Sequence, residues 1–557
     1  MKRALSLFLS ILFLLTALPL GAIPVAAATS GTTGDCRWTL DDDGHLTISG
    51  NGAMGDYDHQ GGFWDMAITS ITIEEGVTYI GDYAFCGCES SMTSVVIPDS
   101  VTAIGDYAFS NCPMLAITIG NGVTTIGNGA FQYCSSLTAV TIPNGVVAIG
   151  DAAFAGCHSL AAVVILDNVQ SIGTKAFYDC SNLSTFTVSA GNDDFCSENN
   201  VLFNKSKTML IQYPCNRNSA HYTIPDGVTA IADHAFSNCK SLISLTVPSS
   251  VTTIGESALA SCASLTSIVV DNENANYSAT EGVLFSKDQT VLWQCPGGKS
   301  GNYTIPNCVT VIMDYAFRDC ASLTSVSIPD SVITIGEWVF SRCFDLHSVT
   351  IGNGVTTIGE GTFEHCNSLL SVTIPNGVTS IGGSVFAICH SLEMVSLPDS
   401  VTTIGVSAFA HCDKLTEMVI PQGVADIADY AFVGCSSLVS VTLAENVDRI
   451  GKYAFTSCNQ LTDVYYAGTE TQRATICVGD GNDNIINATW HYEEQSMFIG
   501  DVNENGLVDL QDAAVLQRYL NGWDVNVYLP ACDMNEDTEI NNKDLALLIR
   551  QISGWSI

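Results

Sequence analysis

One phrase runs through most of this chain and limits what it can fold into. Between about residues 77 and 458 the sequence repeats Val-Thr-x-Ile-Gly-x-x-Ala-Phe-x-x-Cys-x-x-Leu-x-x-Val-x-Ile-Pro. Its register is marked by Phe85, Phe109, Phe131, Phe154, Phe177, Phe236, Leu259, Phe317, Phe340, Phe363, Phe386, Phe409, Phe432 and Phe455, most of them 23 residues apart. A fixed period in this range predicts stacked coils, each burying its apolar face only against its neighbours. Within one unit, Val372 and Ile374 alternate with polar residues as an extended strand would, and Pro375 ends it. Val378 and Ile381 begin a second short extended piece, and Phe386 and Cys389 point back inward from a turn. No segment of the body holds a helical period for three turns. The expected body is mainly β, a right-handed solenoid with short turns.

Two spacings break the period, 59 residues from Phe177 to Phe236 and 58 from Leu259 to Phe317. Both contain similar text, Val201-Leu202-Phe203 to Pro214 and Val283-Leu284-Phe285 to Pro296, and carry Tyr213 and Trp293. A polar turn (Asn204 to Lys207; Ser286 to Gln289) between apolar runs predicts a β-hairpin inside each expanded repeat, over about 186–225 and 268–306. Such insertions can mark a binding face, and they can equally be structural elaborations.

The chain has 22 cysteines, and fourteen share one repeat position: Cys88, Cys112, Cys134, Cys157, Cys180, Cys239, Cys262, Cys320, Cys343, Cys366, Cys389, Cys412, Cys435 and Cys458. A residue recurring once per coil reads as a small buried hydrophobe rather than half of a bridge. At the amino end, Lys2 and Arg3 precede an apolar run from Ala4 to Leu20, and Ala26-Ala27-Ala28 offers a cleavage site. Residues 1–28 therefore read as a secretory signal peptide. Nothing later approaches the roughly 18 consecutive apolar residues of a membrane span. A formal charge of −38 and a pI near 4.2 argue against nucleic acid and anionic lipid as partners, because phosphates need patches of Lys and Arg.

The Ala-Phe-x-x-Cys and Ile-Pro elements, with the leucine spacing, resemble the BspA-like (treponemal-type) leucine-rich repeat family over most of 35–492. The stretch Cys36-Arg37-Trp38-Thr39-Leu40, continuing through Gly50-Asn51-Gly52-Ala53-Met54, is similar to the amino-terminal cap of such proteins. A cap is physically required, since the first coil would otherwise expose its apolar face and an unpaired strand edge. Tyr465-Tyr466-Ala467-Gly468 and the segment to Tyr492 read as a closing coil. The expected divisions are a cap region over 29–68, the solenoid over 69–492 and a linker over 493–499.

Chemistry is hard to find in the body. The strand positions expected to face solvent are Thr118, Thr141, Val164, Thr187, Thr246, Val269, Ser327, Thr350, Thr373, Ser396, Val419, Thr442 and Tyr465. This stripe is small and hydroxylated, a β-favouring face rather than an aromatic platform for sugars. The pairs Cys157-His158, His365-Cys366, Cys389-His390 and His411-Cys412 invite a metal or Cys/His reading, but adjacent residues on a coil diverge. No nucleophile elbow, phosphate loop or metalloprotease helix occurs. The expectation is a body that is not an enzyme.

The carboxyl end is different. Residues 501–512 read Asp-x-Asn-x-Asn-Gly-x-x-Asp-x-x-Asp, and 533–544 read Asp-x-Asn-x-Asp-Thr-x-x-Asn-x-x-Asp. A hard divalent cation takes six to eight oxygens at roughly 2.4 Å, which a tight Asp/Asn loop can converge. The candidate ligands are Asp501, Asn503, Asn505, the Leu507 carbonyl, Asp509 and Asp512, then Asp533, Asn535, Asp537, the Glu539 carbonyl, Asn541 and Asp544. The second loop has Thr538 where the first has Gly506, so a positive φ costs more there and weaker binding is expected. Position 12 is Asp rather than the Glu of an EF-hand, and no helix of useful length precedes the first loop. A loop followed by a helix (Gln511–Asn521, then Asn542–Ile552), repeated after 32 residues, resembles a type I-like dockerin over 500–557.

That resemblance implies calcium as the cofactor, at two sites, and a cohesin module of a scaffoldin as partner. It also implies that positions 10, 11, 17, 18 and 22 carry recognition: Leu510, Gln511, Gln517, Arg518 and Gly522, then Asn542, Lys543, Ile549, Arg550 and Gly554. The copies share Arg518/Arg550 and Gly522/Gly554 but differ at positions 10, 11 and 17, which argues against interchangeable binding through either copy. The expected whole is a secreted, non-catalytic, adhesion-type binding protein held at the cell surface through a scaffoldin of a cellulosome-like complex. Alternatives are an accessory or enzyme subunit of a polysaccharide-degrading complex, and a structural spacer or inhibitor. The ligand of the repeat body, protein or carbohydrate, is left open.

Overall fold

The computed structural model of the chain describes residues 30–58, 62–63, 68–88, 94–217, 219–492, 502, 508, 510–522, 525, 527, 532, 534 and 539–552. The signal-peptide and linker segments expected at 1–28 and 493–499 lie outside the described residues. The chain divides into two units, Met1–Asp288 with Pro296–Gly298, and Gln289–Cys295 with Lys299–Ile557.

In the first unit, short strands stack in parallel, in register. Ala103–Ile104, Thr125–Ile126, Ala148–Ile149 and Ser171–Ile172 form one ladder, and Ala139–Ile142, Ala162–Ile165 and Thr185–Val188 another. In the second unit, Ser348–Thr350, Ser371–Thr373 and Met394–Ser396 stack the same way. Two-to-four-residue strands would not be stable alone. They persist because each coil repeats its neighbour's apolar positions, so Val372, Ile374, Val378, Ile381, Phe386, Cys389 and Leu392 are all buried in one turn of the solenoid.

The repeat phenylalanines form two columns of stacked rings. Phe85, Phe109, Phe131, Phe154 and Phe177 follow one another at 5.0–5.6 Å, and Phe317 through Phe455 at 4.8–5.4 Å. Such contacts add about 0.5–1.5 kcal/mol each beyond area burial. Beside each column the cysteine thiols donate to the preceding coil's phenylalanine carbonyl, as Cys134 to Phe109, Cys157 to Phe131 and Cys366 to Phe340, each at 3.2 Å. Cysteine is therefore not merely small at this position. Its S–H satisfies a buried carbonyl one coil away.

One cysteine departs from the expected pattern. Cys239 is bridged to Cys215, so one of the fourteen repeat positions is half of a disulfide; the others are buried. The reason is local: the expanded repeat brings Cys215 next to the position where an ordinary coil would present a carbonyl.

The first expanded repeat contains the expected hairpin, Val201–Asn204 against Met209–Gln212, and a third antiparallel strand, Phe195–Glu198, in front of it. The second contains Tyr277–Thr280 paired antiparallel to Val283–Ser286. At the amino end, Ser30–Thr33, Cys36–Leu40 and His45–Gly50 form an antiparallel sheet whose last strand pairs in parallel with Ser70–Ile73. That pairing satisfies the edge the first coil would otherwise leave open. At the other end Tyr466 packs edge-on against Trp490, and Arg473 lies over the Trp490 ring at 4.5 Å. Among the described residues no helix is long and apolar enough to cross a membrane.

Candidate calcium and partner-docking site

Two helices, Leu510–Leu520 and Asn542–Ile552, follow the two acidic loops. Their inward faces meet in a small core of Ala513, Leu516, Leu545 and Leu548 with Val502 and Cys532. Partly buried Val508, Met534 and Ile540 pack against it. Val502 and Met534 are the second residues of their loops, and Val508 and Ile540 the eighth. The loops are thus pinned to the helix pair by one apolar residue on each side of the central ligands. Sequence reasoning took these positions for spacers; the signal for them was their apolar identity at equal offsets in both copies.

Asp512 and Asp544, at loop position 12, lie in the first turn of their helices, and both are fully buried at 0% exposure. Carboxylates are rarely withdrawn from water without compensating charge or hydrogen bonds. In the second loop the compensation is partly visible. Asp544 accepts the Met534 N–H at 3.0 Å through Oδ1 and the Asn541 N–H at 2.8 Å through Oδ2. One carboxylate therefore holds the beginning and the end of its loop together. Asn541 accepts the Lys543 N–H at 2.9 Å, and its amide donates to the Glu539 carbonyl at 3.3 Å. Burial, and then Asp544, push the neighbouring Cys532 thiol up to about 11.

Asp512, Glu539, Asn541 and Asp544 are thus placed by the structure. Asp501, Asn503, Asn505, Leu507, Asp509, Asp533, Asn535 and Asp537 lie outside the described residues. The donors that are described, buried carboxylates with an amide oxygen and a backbone carbonyl, are hard oxygen ligands and fit Ca²⁺.

The expected recognition positions lie on the outer side of the pair. Leu510 is 70% and Ile549 43% exposed, large values for apolar side chains on a packed helix. Gln511, Gln517, Arg518, Gly522, Asn542, Lys543 and Arg550 are exposed as well. Gly522 has φ +76°, the left-handed conformation that ends the first helix. Gly554 lies outside the described residues.

The repeat body presents the face the sequence implied. Thr118, Thr141, Thr187, Val269, Thr350, Thr373, Ser396, Val419 and Tyr465 are exposed, and Val164, Thr246, Ser327 and Thr442 half-buried. The histidines beside repeat cysteines turn outward to other partners. His158 Nδ1 lies 3.0 Å from the Asp179 carbonyl, and His390 Nδ1 lies 2.7 Å from Asp413. A second row, missed in the sequence, lies two residues before the repeat phenylalanine. Tyr83, Tyr107, Tyr315, Trp338, Tyr430 and Tyr453 all have φ between 54° and 60° there. Tyr83 stacks on Tyr107 at 5.0 Å and Tyr430 on Tyr453 at 5.3 Å. Where glycine takes the same place, as Gly129 does, a side chain would collide with the ring of the coil before, here Tyr107.

Comparison with known families matches this architecture. The BspA type Leucine rich repeat region (6 copies) matches residues 59–184, 212–287, 298–415 and 379–475. The chain belongs to the BspA type leucine-rich repeat family. Residues 499–553 match the Dockerin type I domain, and the chain carries one at its carboxyl end. No curated protein matches the chain.

Among solved structures it is similar to a leucine-rich repeat protein of Eubacterium ventriosum, at 25% identity over 77% of this chain and 95% of that one, TM-score 0.42. It is also similar to a leucine rich cell surface protein of Faecalibacterium prausnitzii, at 27% identity over 80% and 97%, TM-score 0.36. Family membership rests on the repeat match and not on these likenesses. Together the modules give this BspA-type protein a protein-interaction role. The dockerin implies a cohesin partner and calcium, both modules point to an extracellular setting, and both families are typically non-catalytic.

Proposed function

We propose that this BspA-type repeat protein is secreted behind a signal peptide over 1–28 and docks, with bound Ca²⁺, onto a cohesin module of a cellulosome-like scaffoldin. The divisions that go with this reading are a cap over 29–68, the solenoid over 69–492, a linker over 493–499 and the docking module over 500–557. The body, at the cell surface, binds a further protein or carbohydrate without transforming it.

The observation that carries the reading is the pair of fully buried carboxylates, Asp512 and Asp544, at equivalent places in two loops, each in the first turn of a helix whose outer side is exposed. The proposed cation ligands are those of the two loops, the second binding more weakly. The proposed cohesin contacts are Leu510, Gln511, Gln517, Arg518 and Gly522 with Asn542, Lys543, Ile549, Arg550 and Gly554.

Bound calcium would supply the charge that makes the two buried carboxylates, Asp512 and Asp544, favourable; the chain's own residues orient the helix pair. Calorimetric titration of the full chain should show calcium binding, and capture on immobilised cohesins should succeed in calcium and fail in chelator. Asp512→Ala should weaken capture by about tenfold or more, equivalent to about 1.4 kcal/mol. No heat of binding at millimolar calcium would remove the docking assignment.

A further inference from the structure

The two expanded repeats solve the same packing problem with different residues. In a regular coil the repeat phenylalanine donates its N–H to the carbonyl just before the next coil's phenylalanine, as Phe317 does to Val339 at 2.9 Å and Phe340 to Thr362 at 2.7 Å. The next coil's cysteine then aims its sulfur at that phenylalanine's own carbonyl, as Cys343 does at Phe317, 3.2 Å away. In the expanded repeats the donor is a different residue. Tyr213 donates to Ala235 at 2.8 Å and Cys295 to Ala316 at 2.7 Å, so both occupy the phenylalanine's place. Gln212 and Gln294, just before them, donate to the same carbonyls of Ala235 and Ala316, each at 3.1 Å.

The repeat cysteine of the coil that follows each expansion is therefore directed at residues of the insertion. For Cys239 that neighbourhood supplies Cys215, two residues after Tyr213, and the two are bridged. For Cys320 it supplies Cys295 itself. Gly297 stands at the position equivalent to Cys215, and Tyr213 at the position equivalent to Cys295. Each insertion thus carries one cysteine near the repeat cysteine of the next coil, Cys295 from the phenylalanine's place itself and Cys215 from two residues beyond it. Cys295 and Cys320 are both fully buried. Burial first, and then the neighbouring Cys320 sulfur, push the Cys295 thiol well above its ordinary range.

We propose that Cys295 and Cys320 form a disulfide in the oxidised protein, a second staple matching Cys215–Cys239, so that each expanded repeat is tied covalently to the coil after it. The physical need is clear in the first expanded repeat, where antiparallel strands interrupt the parallel coil-to-coil ladder. A cross-link there removes from the unfolded chain the closure entropy of the segment it encloses, 24 residues for Cys215–Cys239 and about the same length for Cys295–Cys320.

The bridge forms during folding, before burial suppresses the Cys295 thiolate. The Cys320 thiolate attacks a sulfur of oxidised glutathione, giving a mixed disulfide and one glutathione thiolate. The Cys295 thiolate then attacks the Cys320 sulfur and expels the second. Two cysteine thiols are oxidised and one glutathione disulfide is reduced, the two protons passing to solvent.

The test uses the full chain, refolded from the reduced, denatured state in a glutathione redox buffer. It is then denatured and alkylated without reductant, and its peptides are mapped by mass spectrometry. The expected map links Cys295 to Cys320 as well as Cys215 to Cys239, with Cys343 and Cys366 alkylated. Alkylation of both Cys295 and Cys320, or a Cys320–Cys343 link, overturns the proposal. In C295S, Cys320 should move into the alkylated pool while Cys215–Cys239 stays linked. Continued loss of Cys320 from that pool in C295S would equally overturn it.

Discussion

Asn192 shows how much a single residue can hold in this fold. It is fully buried, and its amide donates to the carbonyls of Leu166 and Val169 at 2.8 and 3.1 Å while its oxygen accepts the N–H groups of Asp194 and Phe195. Asn274 repeats the arrangement with Pro248, Val251, Asn276 and Tyr277. Both asparagines tie the start of an expanded repeat to the coil before it. Asn192→Ala strands several buried backbone groups, each worth about 1–3 kcal/mol, so a loss of about 3 kcal/mol is expected in urea unfolding. A change below the scatter of ordinary surface variants would show that water replaces the amide.

A second residue-scale outcome concerns acid. Burial, and next the charge of Lys175, pull His234 down from 6.5 to about 4, with Asp233 opposing. Its ring also meets Tyr178 edge-on at 5.3 Å. The folded chain keeps this imidazole neutral where the unfolded chain protonates it. Its contribution is intact above about pH 6.5 and is lost as the pH falls toward about 4. Urea midpoints should drop through that window, and His234→Gln should flatten the drop. Equal slopes for the two proteins would assign the effect to other groups.

At the scale of elements, the strands are too short to carry their own stability, and the helices depend on one another. Leu516 and Leu548 are both fully buried in the core the two helices share. Leu516→Ala should cost about 2–5 kcal/mol of local stability, by lost transfer energy and the cavity left behind. Hydrogen exchange over 510–520 in saturating calcium reads this directly; unchanged protection would mean the loops alone order the helices. The coils themselves were legible in the sequence because inward and outward residues alternate at fixed offsets. Phe386, Cys389 and Val372 could be placed inside from spacing alone, and Thr373 and Val419 outside. The row containing Tyr83 and Trp338 was not legible, because a left-handed turn normally advertises itself with glycine or asparagine. Here aromatic residues adopt it, and Tyr83 and Tyr430 stack on the coil that follows.

For the whole molecule the dominant physical fact is charge. With 57 Asp and Glu against 19 Lys and Arg, like charges recur on successive coils, and few cations are present to offset them. Where one does, as when Arg449 bonds Asp426 at 2.7 Å and Asp429 at 3.1 Å, the pair is exposed and contributes little. Raising ionic strength from about 0.01 to 0.15 M shortens the screening length from about 30 to 8 Å. The thermal midpoint should therefore rise with a salt that does not bind calcium sites, and a fall would show that ion pairs outweigh repulsion.

The coil period, the inward identity of its phenylalanines, cysteines and leucines, and the paired acidic loops with their helices can all be read from the order of residues. Each of these is written in residues close together or regularly spaced, so the chemistry repeats in plain view. Three-dimensional packing was needed to reveal that Cys239 pairs with Cys215, that Asn192 and Asn274 plug the expanded repeats, and that Val502 and Met534 pin the acidic loops. Those outcomes depend on which atoms face each other across coils or across the helix pair. A periodic pattern states what recurs but cannot state which exceptional residue meets another where the period breaks.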